Sequence, residues 1–378
     1  MRRLLLVVGA IVLVDTLFYA ALTPLLPHYA DAFGLSKSGV GLLAAMYAIG
    51  ALVGGIPAGL ATSWFGVKKV ALTGLTGMVV TTALFGFAQS VWMLDTARFL
   101  QGFASSCSWT AALAWLVADA PAASRGRLIG SAMGAALFGS LLGPVVGAVA
   151  SFAGIAVTFT TLALIGVAIA AWAWSTPLLH EPKQQPLSLL ARSLRNRRVL
   201  LAIWFVTLPA LSFGMINVLA PLRLHALGLG AAGIGAVWLV TAGLEAAAAP
   251  FIGHVSDMRG RIAPLRVGLA ATAIAMVALA TLDTHWWLLA LVVAVTGVAV
   301  GIFWSPAMSL LTDEAERTGL DYAFGFTLVN MAWAPAQVGG AAGGAALAEL
   351  TADAVPYLTV SGLCVLTLAF LWRSASSS

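Results

Sequence analysis

Long apolar runs alternate with short polar segments along the whole chain. Each run holds about 20 predominantly apolar residues, which is the length that an α-helix needs to cross a bilayer. The runs start near residues 4, 38, 70, 91, 128, 153, 200, 231, 264, 286, 322 and 354. The pattern therefore predicts an all-α integral membrane protein with twelve transmembrane helices.

A polar segment rich in proline separates the sixth run from the seventh. It reads "STPLLHEPKQQPLSLLARSLRNRRV" and ends in a basic cluster. Proline and clustered charge are typical of a linker rather than of a membrane span. The sequence thus predicts an N-terminal six-helix bundle at 1–175, a cytoplasmic linker at 176–199 and a C-terminal six-helix bundle at 200–378.

An internal repeat relates the two predicted bundles. A single shift of 194 residues aligns four landmark pairs: Pro27 with Pro221, Gly59 with Gly253, Gly66 with Gly260, and Asp119 with Asp313. Parallel repeats about an axis along the membrane normal are a known transporter architecture, with the substrate cavity between the halves. The repeat predicts two pseudo-symmetric bundles and a central cavity near the midplane.

Composition and charge agree with a membrane protein. Of the 378 residues, 61% are hydrophobic and 9% are charged, and the mean hydropathy is +0.99. With both termini in the cytoplasm, 16 of the 19 basic residues fall in cytoplasmic segments, as the positive-inside rule requires. This topology explains the net charge of +5 without a nucleic-acid partner. The two cysteines lie inside apolar runs, which predicts neither a disulfide framework nor a metal site.

Two acidic residues lie deep within apolar runs. Asp15 is about 16 Å into the first span, close to the midplane of a ~30 Å hydrocarbon core. An ionisable group at that depth faces a cavity or a partner, or is protonated. One interpretation is a structural hydrogen bond, and the other is a carboxylate that alternates between a proton and a cationic substrate. Glu245, in the eighth span, has two possible roles, which are to carry a proton or to contribute to packing between helices.

The fourth span carries "RFLQGFASS", with Arg98 and Gln101 three residues apart. An arginine inside a span is costly unless it is paired or hydrated. Arg98 is therefore a candidate for proton coupling together with Asp15 and Glu245. The alternative is that Arg98 reaches the outer interface beside Asp95.

Polar and aromatic side chains within the spans are candidates for a substrate site. A cation can bind over an aromatic face, although Trp and Tyr also anchor helices at the membrane interface. The candidates are Asp15, Tyr19, Gln101, Trp109, Asn217, Trp238 and Asn330.

Glycine-rich motifs are candidates for gating. The loop "GHVSDMRGRIA" holds Gly253, Asp257, Gly260 and Arg261. The glycines permit a tight turn, and the two charged residues can form an ion pair between helix ends. The matching loop "GLATSWFGVKK" keeps Gly59 and Gly66 but has Ser63 in place of the acid. A third motif, "GSAMGAALFGSLLGPVVGA", places small residues and a proline in the fifth span, which permits close packing and bending. Its gating candidates are Gly139, Gly143, Pro144 and Gly147.

Together these motifs resemble those of the major facilitator superfamily over nearly the whole chain, in particular its twelve-helix drug:proton antiporters. In that family the Arg-x-x-Gln-Gly motif is carried by proton-coupled members, and the Gly-Pro motif of the fifth span is the antiporter signature, with Ala148 replacing one glycine here. "LVDTLFYAALTPLLP" is similar to the first helix of drug and vesicular amine exporters, where an acid precedes a Pro-x-x-Pro pair.

The resemblance implies a proton-coupled exporter of a lipophilic or cationic small molecule that works by alternating access. The alternatives are a facilitator or proton symporter for a sugar or organic acid, and a non-transporting membrane sensor or scaffold. We expect no enzymatic activity, cofactor or metal. The expected location is the bacterial inner membrane, where the chain is a monomer whose partners are protons, a small-molecule substrate and the bilayer.

Overall fold

The computed structural model describes residues 1–121, 125–179, 187–320 and 322–376, and their regular structure is helical. A 3-10 turn at Thr23–Leu25 joins the first two helices, and a π-helical turn at Gly339–Gly343 joins two later ones. The α-helices are α1 (Arg2–Ala20), α2 (Leu26–Phe33), α3 (Lys37–Phe65), α4 (Val67–Gly86), α5 (Val91–Asp119), α6 (Arg125–Ala153), α7 (Ile155–Trp174), α8 (Leu187–Ser193), α9 (Arg197–Ala226), α10 (Ala231–Arg259), α11 (Ile262–Thr281), α12 (Trp286–Arg317), α13 (Tyr322–Val338), α14 (Gly344–Leu350) and α15 (Ala354–Ser376).

The helix boundaries follow the apolar runs closely. Each of the twelve expected starts lies within three residues of a helix start, which confirms the all-helical prediction. Ten helical segments in the described ranges are long and apolar enough to span a membrane. The two expected spans outside this set are α5, which carries Asp95 and Arg98, and the segment 322–350.

The repeat is visible in the helices themselves. The helices α3 and α10 each have 29 residues, and they start 194 residues apart. Both end at a glycine with positive φ, namely Gly66 at 87° and Gly260 at 77°. Residues with a side chain rarely adopt this backbone conformation, whereas glycine adopts it freely. The two glycines aligned by the repeat therefore have the same role, which is to end a helix in a tight turn.

The first half of the chain (α1–α7) and the second half (α9–α15) each have their own internal helix packing. In the first half α1 packs on α6, while α3 and α4 pack on α5. In the second half α9 and α11 pack on α12. The two halves meet where α6 contacts α10 and where α3 contacts α13.

One end of the molecule, here called the basic end, collects basic residues at helix termini. Arg3 donates a hydrogen bond to Ser175 Oγ at 2.6 Å, and Lys68 donates to the carbonyl of Trp174 at 2.7 Å. In the second half, Arg266 donates to the carbonyl of Leu371 at 3.0 Å. The bonds from Lys68 and Arg266 satisfy carbonyls near the C-terminal ends of α7 and α15, where cations also interact favourably with the helix dipole.

At the opposite end, polar contacts join the two halves, and we call this set the latch. It consists of the Lys37–Asp353 ion pair, a 2.7 Å bond from Ser38 N to Glu349 Oε2 and a 3.0 Å contact between His225 Nε2 and Asp31 Oδ2. Asp31 and His225 are 194 residues apart, so equivalent positions of the repeat meet on or near its symmetry axis. The structure is therefore closed at the latch end.

Small residues let the halves approach closely near the latch. A Cβ atom on Gly41 of α3 would lie 2.5 Å from Ala345 Cβ, and one on Gly235 of α10 would lie 2.8 Å from the Pro144 carbonyl oxygen of α6. Nearer the basic end of the same helices, Gly59, Gly134 and Gly253 adjoin open space. Tight packing on these helices is thus concentrated toward the latch.

Candidate functional site

Asp15 lies at the centre of the first half and is only 1% exposed. Its carboxylate accepts a hydrogen bond from Tyr47 Oη of α3 at 2.6 Å. It also accepts bonds from two hydroxyls of α5, Ser105 Oγ at 2.8 Å to both oxygens and Ser108 Oγ at 3.2 Å. No cation lies within ion-pair distance of Asp15 in the described ranges. The site therefore holds an intramembrane carboxylate by neutral hydroxyl donors alone.

Close packing of α3 on α5 makes this arrangement possible. A Cβ atom on Gly102 would lie 1.9 Å from the Tyr47 carbonyl oxygen, and one on Gly50 would lie 1.9 Å from the Phe99 carbonyl oxygen. Only glycine permits such a backbone approach. Gly102 thus brings Ser105, one turn further along α5, to the carboxylate.

Arg98 is inside the protein, with 2% of its surface exposed, and does not extend to the interface beside Asp95. It donates hydrogen bonds to Gln101 Oε1 at 2.7 Å, to the Phe18 carbonyl at 3.3 Å and to the Tyr19 carbonyl at 3.4 Å. Gln101 is held in turn by a 2.9 Å bond to Thr82. Because Gln101 lies one helical turn after Arg98, its side chain can hold the guanidinium group against the carbonyls of α1.

Two aromatic rings cover the guanidinium group. Arg98 Cζ lies 4.9 Å from the Tyr47 ring centroid and 6.0 Å from that of Tyr19. The two rings are themselves 4.9 Å apart. Desolvated cation–π contacts of this kind are worth about 2 kcal/mol or more. Tyr47 thus touches both Asp15, through its hydroxyl, and Arg98, through its ring.

A small cavity lies between the halves next to this cluster. Its volume of about 20 Å³ holds roughly one water molecule. Tyr19 spans this boundary, because its hydroxyl accepts a hydrogen bond from Gln337 Nε2 of the second half and its ring lies 5.8 Å from Trp333. The lining residues are Tyr19, Leu22, Thr23, Leu26, Ala44, Ala48, Arg98, Gly214, Asn217, Gln337 and Ala341.

The structure brings together some predicted binding residues and separates others. Asn217 lines the cavity and accepts a 2.8 Å bond from Trp238 Nε1. Trp109 instead packs against a separate apolar cluster of the first half. Asn330 is half-buried on α13. Asp15 lies behind Tyr47 and does not line this cavity, so its direct contact with a substrate stays a prediction.

Sequence reasoning missed Tyr47, Ser105, Ser108 and Gln337 as site residues. Tyr47 stands alone in "LLAAMYAIGALVGG", and the two serines belong to "ASSCS". These residues could have been found by searching each span for hydroxyl side chains that have small residues as sequence neighbours. Inside a membrane, each such hydroxyl needs a hydrogen-bond partner.

Glu245 lies apart from this cluster, on α10. Its carboxylate packs against glycines of α12, where a Cβ atom on Gly297 would lie 2.6 Å from Glu245 Oε1. Gly301 extends the same surface along the side chain of Glu245. Within the described ranges these glycines make the space that the carboxylate occupies.

The second-half gating loop contains an ion pair between helix ends. Arg261 Nε lies 3.3 Å from Asp313 Oδ2 of α12, and Arg261 Nη1 donates to Ser256 Oγ at 3.3 Å. The Asp257 side chain, the predicted partner, lies outside the described residues. In the first half, Asp119 accepts a 3.3 Å bond from Leu179 N. The repeat-related acids Asp119 and Asp313 thus both bind groups at the basic end.

The Gly-Pro motif of α6 packs along α1. Cβ atoms on Gly139, Gly143 and Gly147 would lie 2.2, 2.9 and 2.2 Å from the carbonyl oxygens of Leu13, Leu17 and Ala21, respectively. The motif therefore closes α6 onto the helix that carries Asp15. The Pro144 carbonyl oxygen and the Ala148 side chain face Gly235 of α10, so the motif also contributes to the boundary between the halves.

Comparisons with known proteins agree with this architecture. Residues 8–336 match the Major Facilitator Superfamily, and residues 206–378 match it again. The chain is 34% identical over 142 residues to an uncharacterised transporter of this type from Schizosaccharomyces pombe, covering 35% of this chain and 32% of that protein. It is 34% identical over 179 residues to a probable vesicular acetylcholine transporter-B of Danio rerio, covering 44% of this chain and 36% of that protein.

These curated relatives are therefore matched over about a third of their length. Solved structures match over almost the whole chain. The xylose transporter XylE from E. coli, in a partially occluded inward-open conformation, has a TM-score of 0.77 at 17% identity, covering 98% of this chain and 97% of that chain. A D-xylose-proton symporter has a TM-score of 0.79 at 15% identity with the same coverage. The chain belongs to the Major Facilitator Superfamily of membrane transporters, which are not enzymes.

Proposed function

We propose that this chain is a proton-coupled antiporter that exports a lipophilic or cationic small molecule by alternating access. In this proposal twelve transmembrane helices form two six-helix bundles, 1–175 and 200–378, joined by a linker at 176–199. The basic end faces the cytoplasm, as the positive-inside rule favours. The chain works as a monomer in a bacterial inner membrane, and the closed latch corresponds to the inward-facing state.

The observation that carries the proposal is the buried carboxylate of Asp15. A charged group at this depth is expensive and marks a proton or ion pathway. Because its partners are hydroxyls, Asp15 can take up a proton without breaking an ion pair. Arg98, which lies against the Tyr47 ring, is the proposed group that senses this change, and Glu245 is the proposed second proton carrier.

Export rather than uptake is supported by the Gly-Pro motif of α6. Its packing on α1 and against Gly235 of α10 links the helix of Asp15 to the boundary between the halves. In the antiporters that the motif resembles, the same segment lies in the fifth span. The relative from Danio rerio is named as a probable vesicular acetylcholine transporter, and because acetylcholine is a cation this name supports a cationic substrate.

A second candidate is a symporter or facilitator for a sugar or organic acid. The observation that favours it is the chemistry of the cavity. Of its described lining residues, Arg98 carries the formal charge, while Asn217 and Gln337 offer amide hydrogen bonds. A cation would be repelled by Arg98, whereas an anion or a polyhydroxylated neutral molecule would be bound.

Reconstitution into vesicles with an internal pH dye tests the function. We expect lipophilic or cationic compounds to trigger proton movement when a proton gradient is present, and we expect sugars and organic acids to be silent. Proton movement with sugars or acids alone would support the second candidate. Vesicles that transport none of these compounds, with or without a gradient, would argue for a sensor or scaffold instead.

The latch predicts a modest conformational effect. Asp353→Lys removes the Lys37 ion pair and should favour opening of the latch end, whereas adding Lys37→Asp restores the pair with reversed sign. Because partly exposed ion pairs contribute about 0.2–1 kcal/mol, the open fraction should rise by no more than about fivefold. Distances between spin labels on the exposed positions His28 and Leu350 measure that fraction. Equal open fractions in the single and double variants would contradict a role for the pair.

A further inference from the structure

We propose that Tyr47 is a positioning residue that carries the protonation state of Asp15 to the contact between the two halves. This inference rests on the proposed proton coupling. It addresses a difficulty in the geometry: Asp15 is sealed inside the first half and does not reach the cavity. A group that touches both must therefore transmit the change.

Three hydroxyls donate to Asp15, and among them that of Tyr47 belongs to a side chain that also contacts Arg98. Ser108 has its other contacts nearby, at the Ser105 carbonyl and Met78 Sδ. Ser105 Oγ contacts both of the other groups, because it donates to Asp15 and lies 2.7 Å from Tyr47 Oη. The Tyr47 ring continues away from this cluster to Arg98 and Tyr19.

Protonation changes what Asp15 offers to Tyr47. The ionised carboxylate accepts from all three hydroxyls, whereas the neutral acid keeps fewer acceptor sites and gains a donor. One hydroxyl must then turn or leave. At 2.6 Å the Tyr47 bond is the shortest of these contacts, as expected for a hydroxyl donating to an ionised oxygen, so the neutral acid weakens this bond most.

Movement of the Tyr47 ring alters the environment of Arg98. The guanidinium group lies on this ring at 4.9 Å, and its Nε has no hydrogen-bond partner within the described residues. Its charge is offset by the faces of the Tyr47 and Tyr19 rings and by the carbonyl oxygens of Phe18 and Tyr19. When the bond between Tyr47 and Asp15 weakens, the Tyr47 ring turns away from the guanidinium group, and Arg98 shifts toward the other ring.

Tyr19 is the other ring, and it completes the link between the halves. Arg98 contacts both the Tyr19 ring and the Tyr19 carbonyl, while the Tyr19 hydroxyl binds Gln337 of the second half. A shift of Arg98 therefore acts on the side chain that joins the halves at mid-depth. The chain of contacts runs from Asp15 through Tyr47, Arg98 and Tyr19 to Gln337.

The test compares two tyrosines that differ in their hydroxyl contacts. Tyr47→Phe keeps the ring for Arg98 and removes the hydroxyl from Asp15. Tyr29→Phe is the matched control, because Tyr29 is 3% exposed and its hydroxyl has no hydrogen-bond partner within the described residues. Both substitutions remove a single buried oxygen, and equal thermal unfolding midpoints would show that both variants fold.

The readout is the latch-end distance between spin labels at positions 28 and 350 in lipid nanodiscs, measured as a function of pH. The native Cys107 and Cys364 are replaced by alanine. His225 is replaced by glutamine, which removes an ionisable partner of Asp31 from the latch itself. The other charged groups at the latch end are common to every variant, namely Asp31, Lys37, Arg223, Asp283, Glu349 and Asp353.

We expect the parent protein and Tyr29→Phe to change their open fraction with pH, and we expect the amplitude of that change to fall at least fivefold in Tyr47→Phe. Ser105→Ala should shift the midpoint and keep the amplitude, because it alters the carboxylate without removing Tyr47. A shifted midpoint with full amplitude in Tyr47→Phe would overturn the inference and leave proton coupling intact. A parent protein without any pH response would overturn both.

Discussion

Asp15→Asn abolishes proton-driven accumulation of substrate while leaving the protein folded and inserted, and this is the largest functional effect that we expect. Asparagine has nearly the shape of aspartate and keeps an oxygen for Tyr47 and Ser105, but it cannot carry a proton. Each elementary charge moved across the membrane is worth about 2.3 kcal/mol per 100 mV. Without a titratable group at this position, proton movement is no longer linked to the substrate step, even though Glu245 is still present.

The measurement separates coupling from movement of the substrate. Vesicles with an imposed pH gradient report uphill transport, and exchange of labelled for unlabelled substrate without a gradient reports binding and alternation alone. We expect uphill transport to fall to background and exchange to persist. Glu316→Gln, which removes an exposed acid at the end of α12, serves as the control and should retain both activities. Full uphill transport by Asp15→Asn would end the proposed mechanism.

Gly102→Ala has the largest expected effect on stability. The added methyl group would lie 1.9 Å from the Tyr47 carbonyl oxygen, 2.7 Å from its carbon and 3.0 Å from Ala51 N. These are backbone atoms of a packed helix, so α5 must move away from α3. Overpacking costs about 1–3 kcal/mol and occasionally more, which exceeds the roughly 1 kcal/mol that alanine contributes over glycine within a helix.

Thermal unfolding in detergent, followed by tryptophan fluorescence, measures this cost. Gly55→Ala is the matched control, since a Cβ atom on Gly55 of α3 meets nothing within 4 Å. We expect a lower apparent midpoint for Gly102→Ala and an unchanged or slightly higher one for Gly55→Ala. Displacement of α5 should also separate Ser105 from Asp15, so proton coupling should weaken in Gly102→Ala even below its unfolding temperature. Equal midpoints for the two variants would contradict the packing argument.

Local chemistry accounts for the features that sequence reasoning predicted well. Helix starts followed the apolar runs within three residues, because a backbone in hydrocarbon must satisfy its hydrogen bonds within its own helix. The shift of 194 residues predicted that Gly66 and Gly260 are equivalent, and both end a helix with positive φ. These properties depend on neighbours in the sequence, so the residues themselves are sufficient to predict them.

The partners of the buried charges were decided by tertiary structure. Arg98 was given Asp95 as an alternative neighbour, yet it binds the carbonyls of Phe18 and Tyr19. Asp15 is held by Tyr47 and Ser105, which are 32 and 90 residues away in the chain. Helices that are apolar on every side do not reveal which face meets a neighbour, so a lone polar residue cannot be assigned a partner from its own span.

By itself the sequence determined the apolar helices and their repeat, and it predicts the depth of Asp15 in the membrane, since these follow from the length and periodicity of apolar runs. Tertiary structure alone decided that glycine contacts such as Gly102 against Tyr47 bring α3, α5 and α1 together around the carboxylate. It also decided that Tyr19 and Gln337, 318 residues apart, join the two halves. Such contacts depend on how each helix is rotated and how closely it packs, and these are properties of the assembled helices rather than of any one segment.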